Sequence, residues 1–256
     1  MCMSIKIFKT KPENFPEKVA LCGCDVIDRR LIMGAYRKRT EWVYDNLRHG
    51  LIINTAIDCG DVVGQITALP LNKSPIELKG DGLWFIPCIW MTPRAASPML
   101  GEQLIDGLVS DLGSSANGVV TLSSELWMNH KHFIERFGFE ELGSIERVGD
   151  KVDIMGLSLN GAEIAVELIE RKPPKGVPPR LDFFCSAHCP SHASASYRLQ
   201  NEHKNLEREV QLVVHDSSDR SVIEQFGYSW ALLVNGERDV LKNFITGEPL
   251  EEIVRR

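Results

Sequence analysis

Apolar positions recur along the chain with two different periods, which outline its helices and strands. Residues 29–50 carry apolar side chains at helical spacing and end in a glycine, which predicts an amphipathic helix. Residues 51–57 and 62–69 have the pattern of strands, and Gly60 between them favours a tight hairpin. Residues 82–91 are apolar almost throughout, as expected for a strand buried on both faces.

The pattern then predicts a helix at 98–112, a strand at 119–124, a helix through 129–137 and a closing pair of strands around the Asn160-Gly161 turn. A further short strand is predicted near the amino terminus. Strands and helices are mixed, and hairpins occur both before and after the 98–112 helix. The fold class is therefore α/β in the α+β sense, with a mixed, largely antiparallel sheet flanked by helices.

Residues 171–179 hold four prolines and one glycine, which disfavours both helix and central strand. This composition predicts a domain boundary, with residues 1–170 as a first domain, 171–179 as a linker and 180–256 as a second, smaller domain. Elements in the order β-α-β-α-β-β-α follow the linker, with a hairpin turn at Asn235-Gly236. That order is typical of a thioredoxin-like domain.

Composition narrows the function classes. The net charge of −6 argues against nucleic-acid binding, which depends largely on a basic face. No apolar run approaches the roughly 20 residues that span a bilayer, and no secretory leader is evident. Seven scattered cysteines do not suggest a secreted disulfide framework. We expect a cytoplasmic protein with most cysteines as thiols, in an oligomeric state that the sequence leaves open.

The first candidate site is the loop at 92–101, between the apolar strand and the next helix. Ser97 is a suitable N-cap residue, and Pro98 would occupy the first helical position. The start of a helix leaves several amides unpaired and places the positive end of its dipole outward. Such a helix start can bind a pyrophosphate.

At this point residues 40–159 resemble the GNAT superfamily of acyl-CoA-dependent N-acyltransferases, through the strand hairpin, the strand FIPCIWM, the loop and helix, VVTLSS and RFGFE. The whole chain resembles the subgroup that carries a carboxy-terminal YoaP-like, thioredoxin-related domain. The resemblance implies that acetyl-CoA or another acyl-CoA lies with its pantetheine along Ile89 and Met91. Arg94 matches the superfamily's phosphate loop. The amides implied for the pyrophosphate are those of Ser97, Met99, Leu100 and Gly101.

The same loop departs from the superfamily pattern. Ser97 and Met99 stand where the glycines belong, so Met99 is expected to crowd the phosphates, and Pro98 removes one donor. The general-acid tyrosine of the superfamily is replaced by Ile134, and its asparagine by Trp127. A thiolate leaves without strong assistance, so these losses slow acyl transfer more surely than they forbid it.

The candidates for a general base are Glu125, just after the 119–124 strand, and His130 at the start of the next helix. Taken singly, Glu125 is better explained as a solvated glutamate and His130 as a histidine near a helix start. Cys88 is a possible nucleophile, although a cysteine in a buried apolar strand is usually an inert core residue.

The second candidate site is the segment CSAHCPSH after the linker. Cys189 stands where a helix begins, and unpaired amides there lower the pKa of a thiol. The segment resembles the thioredoxin C-x-x-C motif, but His192 replaces the second cysteine, and Cys185 is the candidate resolving partner. The proline that usually faces the thiol is replaced by Trp230 or Ala231. Weakened or altered redox chemistry is therefore expected.

The two cysteines and two histidines of that segment also suggest zinc. Four ligands from one short turn can hardly converge tetrahedrally, so no metal is expected. Cys22 and Cys24 would join them only if the two domains touched, and are expected to be unligated thiols.

Two functions follow from this. The first is transfer of an acetyl group from acetyl-CoA to an amine of an unidentified small molecule or peptide, with the second domain helping to present the acceptor. The alternative is a non-catalytic GNAT-like scaffold whose second domain binds thiols, a metal or a protein partner through Cys185 and Cys189.

Overall fold

The computed structural model describes residues 5–11, 13, 29–124, 131–206 and 209–256. The strands are β1 (Lys6–Lys9), β2 (Ile52–Asp58), β3 (Asp61–Pro70), β4 (Leu78–Lys79), β5 (Leu83–Met91), β6 (Gly118–Ser123), β7 (Glu140–Arg147), β8 (Asp150–Ser158), β9 (Glu167–Leu168), β10 (Arg180–Cys185), β11 (Gln211–Asp216), β12 (Ala231–Val234) and β13 (Arg238–Asp239). The helices are α1 (Arg29–Leu47), α2 (Pro98–Leu112), α3 (Lys131–Arg136), α4 (Pro190–His203), α5 (Arg220–Phe226), α6 (Leu241–Ile245) and α7 (Leu250–Arg255).

Seven strands form the larger sheet, in the order β1-β2-β3-β5-β6-β8-β7. Every neighbouring pair is antiparallel except β5 and β6, so the predicted mixed, largely antiparallel sheet is confirmed. Helix α2 buries Leu104 and Leu108 in the core on one face. Helix α1 contributes Trp42 and Val43 to the core on the other face. The sheet is thus covered on both faces, which explains the apolar sequence of its central strands.

The closing strand pair turns at a different place from the one predicted. Strands β7 and β8 are joined at Val148-Gly149, with φ of 54° and 70°, and not at Asn160-Gly161. Asn160-Gly161 does form a left-handed turn, but it follows β8, and the chain then leaves the sheet. A positive φ is unfavourable for a β-branched residue. The Val148 side chain is buried in the core of the second sheet, and this burial compensates the strain.

A second, four-stranded sheet has the order β11-β10-β12-β13. Strand β10 is parallel to β11 and antiparallel to β12, which is antiparallel to β13. Phe183, Leu199, Leu232 and Phe244 pack together in its core. The single terminal helix predicted from the sequence is two short helices, α6 and α7, because a left-handed glycine and a proline lie between them.

The proline-rich segment 171–179 contains no helix or strand, as its composition predicts. It nevertheless follows the second sheet closely. The Lys172 amide donates to the Phe226 carbonyl at 2.8 Å, and the Pro179 carbonyl accepts from the Gln211 amide at 3.0 Å. The segment is therefore held by backbone hydrogen bonds. Among the described residues, no helix is long and apolar enough to cross a membrane.

One arginine joins the two sheets. The Arg220 guanidinium donates to the carbonyl oxygens of Leu71, Ser74, Ile76 and Leu78 at 3.3, 3.1, 2.8 and 2.9 Å. Its side chain is 13% exposed. The segment that supplies these carbonyls is mostly irregular, so Arg220 provides hydrogen-bond donors that a neighbouring strand would otherwise provide. Loss of this side chain would leave several partly buried carbonyls without a donor.

We predict that Arg220→Ala destabilises the protein by about 3 kcal/mol, because several partly buried carbonyl oxygens would lose their donor and each such loss costs about 1 kcal/mol or more. Urea denaturation followed by circular dichroism measures this change. Arg255→Ala is the matched control, because Arg255 lies in an exposed i,i+4 ion pair with Glu251. Its loss should cost less than about 0.5 kcal/mol. Equal effects of the two substitutions would contradict the role assigned to Arg220.

Candidate functional site

The central feature of the larger sheet is an opening between β5 and β6. Parallel pairing extends from Leu83 with Gly118 to Ile86 with Thr121 and stops there. The next residue is Pro87, which has no amide to donate to a ladder. Residues 87–91 therefore keep β3 as a neighbour but have lost β6. Backbone groups on the open side are available to a ligand.

The point at which the strands separate is held by local contacts. The register between β3 and β5 shifts between Thr67 and Leu69, where β5 contains an extra residue. Such a bulge bends a strand and increases its twist. The Thr121 hydroxyl donates to the Ile86 carbonyl at 2.9 Å, beside the last paired residues. The opening is thus built into the backbone of β5.

Helix α2 begins next to this opening. Ser97 is its N-cap with φ of −150° and ψ of 150°, and Pro98 occupies the first position, which confirms the predicted cap. The Ser97 hydroxyl accepts from the Leu100 amide at 3.2 Å, and the Gly101 amide donates to the Ser97 carbonyl at 3.1 Å. These two amides are therefore engaged within the helix. The amides of Ser97 and Met99 donate to no other atom of the described residues.

Two side chains near the helix start are exposed. Met99 is 65% exposed, so it is not buried in the core. Arg94 pairs with Asp61 of the β2–β3 hairpin at 3.0 Å, and both side chains are exposed. The helix start therefore lies at the protein surface.

Apolar and polar residues lie close to the opening along the chain. Ile89 and Met91 are partly buried and pack against the core beneath α2. Thr92 follows β5 and Ser124 follows β6, and the hydroxyl oxygen of each is buried without a hydrogen-bond partner among the described residues. The sequence analysis did not select these hydroxyls. Their position in the sequence could have identified them, because each directly follows the end of one of the two separating strands.

The predicted bases lie in a part of the chain that the structure does not describe. Glu125 and His130 fall within residues 125–130, as does Trp127. Ile134 is 2% exposed and belongs to the core, so the tyrosine position of the resemblance holds an aliphatic side chain. Cys88 is likewise buried, at 8% exposure, as expected for a core residue.

The second candidate site lies at the start of α4. Cys189 is the N-cap residue, half-buried, and its side chain makes no capping hydrogen bond. Cys185 ends β10, and both cysteines are free thiols. Burial, with a further contribution from Asp216, raises the pKa of the Cys185 thiol to about 11. Cys185 is therefore protonated at neutral pH.

Two histidines of the same turn are buried and engaged within the protein. The Ser186 amide donates to His192 Nδ1 at 3.0 Å, and the His192 ring stacks on Trp230 at 4.3 Å between centroids. His188 Nδ1 lies 2.9 Å from the Ser186 hydroxyl. Among the described residues, no three His, Cys, Asp or Glu side chains are arranged to hold a metal ion. Cys22 and Cys24 lie outside those residues.

The Trp230 contact joins two residues that the sequence analysis selected. His192 lies in the first turn of α4, and Trp230 immediately precedes β12. The two rings stack with an interplanar angle of 20°. An aromatic pair therefore fills the space beside the turn.

Helix α1, which packs on the larger sheet, covers this turn. Arg39 donates to the His188 carbonyl, and the Trp42 ring lies 6.1 Å from the His188 ring. Burial, together with the charges of Arg147 and Arg39, lowers the pKa of His188 to about 3. Burial also holds the pKa of His192 well below its usual range. Both rings are thus neutral at physiological pH.

Comparison with known proteins finds similarity in solved structures only. No family model and no curated protein sequence matches the chain. A protein from Desulfovibrio desulfuricans assigned as a GNAT-family acetyltransferase is 16% identical with a TM-score of 0.42, covering 60% of this chain and 99% of that one. A ribosomal-protein-alanine N-acetyltransferase from Brucella melitensis is 16% identical with a TM-score of 0.43, covering 60% and 99%. PaiA N-acetyltransferase from Thermoplasma acidophilum, in complex with coenzyme A, is 12% identical with a TM-score of 0.43, covering 61% and 100%.

We predict that Cys185 is alkylated by iodoacetamide at pH 7 at least about a hundredfold more slowly than an ordinary cysteine, because the thiolate is the reacting form. Its rate should rise as the pH approaches 11, where the thiol ionises. Peptide mapping by mass spectrometry gives the rate for each cysteine, and the exposed Cys59 is the internal control. Equal rates at Cys185 and Cys59 would disprove the burial effect.

We also predict an acid-sensitive stability that depends on His188. The folded-state pKa is depressed from 6.5 to about 3, so the contribution is fully present above pH 6.5 and is lost as the pH falls toward 3. Urea unfolding of His188→Gln should show a stability slope flatter by about 1 kcal/mol per pH unit in that range. His49→Gln is the control, since His49 is exposed. Parallel slopes in wild type and His188→Gln would contradict the prediction.

Proposed function

We propose that the chain is an acyl-CoA-dependent N-acetyltransferase of the GNAT type. The observation that carries the proposal is the opening between β5 and β6 after Ile86, with the start of α2 directly after it along the chain. An extended pantetheine needs a slot with backbone groups on one side, and a pyrophosphate needs a helix start. This chain has both features in consecutive segments.

The residues present fit the cosubstrate at both ends. Ile89 and Met91 would contact the pantetheine, and the free amides of Ser97 and Met99 would contact the pyrophosphate. Leu100 and Gly101 would act through the helix dipole, because their amides are already engaged. Arg94 would have to exchange Asp61 for a phosphate oxygen.

The transfer itself would use groups at the carboxyl ends of the separating strands. In this proposal Glu125, or a water that it orders, takes a proton from the acceptor amine, with His130 as the other candidate base. The amine nitrogen then attacks the thioester carbonyl, and the carbon–sulfur bond breaks to release the thiolate. Backbone amides of β5 near Met91, together with the Thr92 and Ser124 hydroxyls, would stabilise the developing oxyanion.

The second sheet supports a proposal for the domain organisation and for the role of the second domain. Its strand order, β11-β10-β12-β13, with one parallel and two antiparallel pairs, is the arrangement expected of a thioredoxin-like domain. We assign residues 180–256 to such a YoaP-like domain, residues 1–170 to the transferase domain and 171–179 to the connection. The second domain would present the amine acceptor, a small molecule or a peptide, in the cytoplasm.

The alternative function is binding of a thiol, a metal or a protein partner through Cys185 and Cys189. It is favoured by one observation, the half-buried Cys189 at the start of α4 without a capping bond. The high pKa of Cys185 weakens it, because a resolving cysteine must become a thiolate to react. Acetyl-CoA binding therefore distinguishes the two functions.

We predict that isothermal titration calorimetry detects acetyl-CoA binding to the full chain, and that Met99→Glu weakens it at least about tenfold. A carboxylate beside the free amides would repel the pyrophosphate and occupy its donors. Met99→Gln is the control of matched shape without charge, and its affinity should stay within about threefold. Met99 is exposed, so neither change should disturb folding.

Absence of binding would refute the proposal if it persists when glycine is restored at both superfamily positions. In Ser97→Gly/Met99→Gly the backbone can approach a phosphate more closely, so this variant should bind at least as tightly as wild type. Binding that Met99→Glu and Met99→Gln affect equally would place the ligand elsewhere.

A further inference from the structure

A second cavity lies away from the opening, against the edge strand of the larger sheet. Its volume is about 340 Å³, and it is lined by Glu77, by Ser144–Glu146 of β7 and by the segment 168–171 that begins in β9. Such a volume is in the range of small-ligand pockets. None of its lining residues belongs to the proposed acyl-CoA site.

Glu77 is the distinctive residue of this cavity. It is 5% exposed, and its Oε1 accepts from the Ser229 amide at 2.9 Å. Its Oε2 is buried and has no hydrogen-bond partner among the described residues, and neither has the Ser229 hydroxyl. A buried carboxylate oxygen without a partner is costly. Glu77 thus lines the cavity with one carboxylate oxygen that lacks a donor among the described residues.

The backbone around Glu77 is held by hydrogen bonds. Its carbonyl accepts from the Ile169 amide at 2.9 Å, and the next residues pair as β4 with β9. Arg220 binds the carbonyls on either side, at Ile76 and Leu78. The position of residue 77 is thus fixed along the chain, and the Ser229 amide holds one oxygen of its carboxylate.

The nearby cations are committed elsewhere. Arg171 lines the cavity, but it donates to the Glu146 carbonyl and its guanidinium carbon lies 5.4 Å from the centre of the Tyr228 ring. Lys172 pairs with Glu170 at 3.2 Å, and both side chains are exposed. The Glu77 and Glu146 carboxylates have no cationic partner among the described side chains. Three carboxylates, of Glu77, Glu146 and Glu170, and one guanidinium, of Arg171, line the cavity, so its net negative charge favours a positive ligand.

The remaining wall is apolar. Ile145 and Ile169 are each 6% exposed, and Leu168 is 56% exposed at the rim. A ligand that suits this wall carries a short aliphatic chain behind its charged head, since the chain can displace water from the isoleucines. A hydrated inorganic cation has no such chain.

We propose that this cavity binds a primary alkylammonium group, with Glu77 Oε2 accepting from the ammonium and the aliphatic chain against Ile145 and Ile169. A lysine side chain or a small aliphatic amine has this chemistry. The site is separate from the proposed acyl-CoA site. It lies at the contact between the two sheets, because Glu77 precedes β4 and Ser229 precedes β12 of the second sheet.

The test uses n-butylammonium as the probe and the uncharged n-butanol as its matched control, with the full chain labelled for amide NMR. The Ser229 and Ile169 amides report directly on the Glu77 carboxyl group and carbonyl. We expect saturable shifts at both amides with n-butylammonium and none with n-butanol. Equal responses to the two compounds, or no response at these amides, would overturn the proposal without any variant.

Glu77→Gln provides the second arm. Glutamine keeps an acceptor for the Ser229 amide but places an amide donor where Oε2 was, so n-butylammonium affinity should fall at least about tenfold. Glu163→Gln, in a different cavity of about 320 Å³, should bind within about twofold of wild type. Unchanged affinity in a folded Glu77→Gln, checked by its thermal midpoint, would overturn the proposal. Tighter binding of methylguanidinium than of n-butylammonium would overturn the choice of an ammonium.

Discussion

The parallel pairing of β5 with β6 ends at Ile86 because the next residue is a proline, and the arrangement of the larger sheet depends on that end point. Before it, the two strands belong to one continuous sheet covered on both faces. After it, β5 stays with β3 while β6 stays with β8. The opening depends on Pro87, the start of α2 depends on Ser97 and Pro98, and the proposed cosubstrate would use both.

The contact between the two sheets is the second organising feature, and it changes the chemistry of the cysteine turn. Arg220 donates hydrogen bonds to backbone carbonyls of the mostly irregular segment 71–78. Helix α1 covers the turn at His188 through Arg39. Burial in this contact raises the pKa of Cys185 and lowers the pKa of His188. By itself, the segment from Cys185 to His192 suggests a reactive pair of thiols. In the folded protein its Cys185 thiol is protonated and its two histidine rings are neutral.

Much of the fold could be predicted from local signals. The helix expected at 98–112 occupies those residues, and Ser97 and Pro98 begin it as expected, because capping involves atoms only three residues apart. The β2–β3 hairpin turns at Cys59-Gly60, where both residues have positive φ. The turn at Val148-Gly149 was missed. Val148 adopts its conformation while buried against the second sheet, and no pattern within β7 or β8 carries that information.

Local sequence patterns sufficed to predict the alternation of strands and helices, the mixed sheet and the cap of α2. Each of these depends on backbone geometry and on neighbours within a few residues. Long-range packing set the exposure of Met99, the burial of the Thr92 and Ser124 hydroxyls, and the burial of Glu77 with one oxygen unpaired. The environment of a buried group is set by residues far apart in the chain. Arg39 contacts His188 and Leu71 contacts Arg220, and each pair is separated by 149 positions. Local patterns carry no record of such contacts, because the free energy of burial depends on what finally surrounds a group.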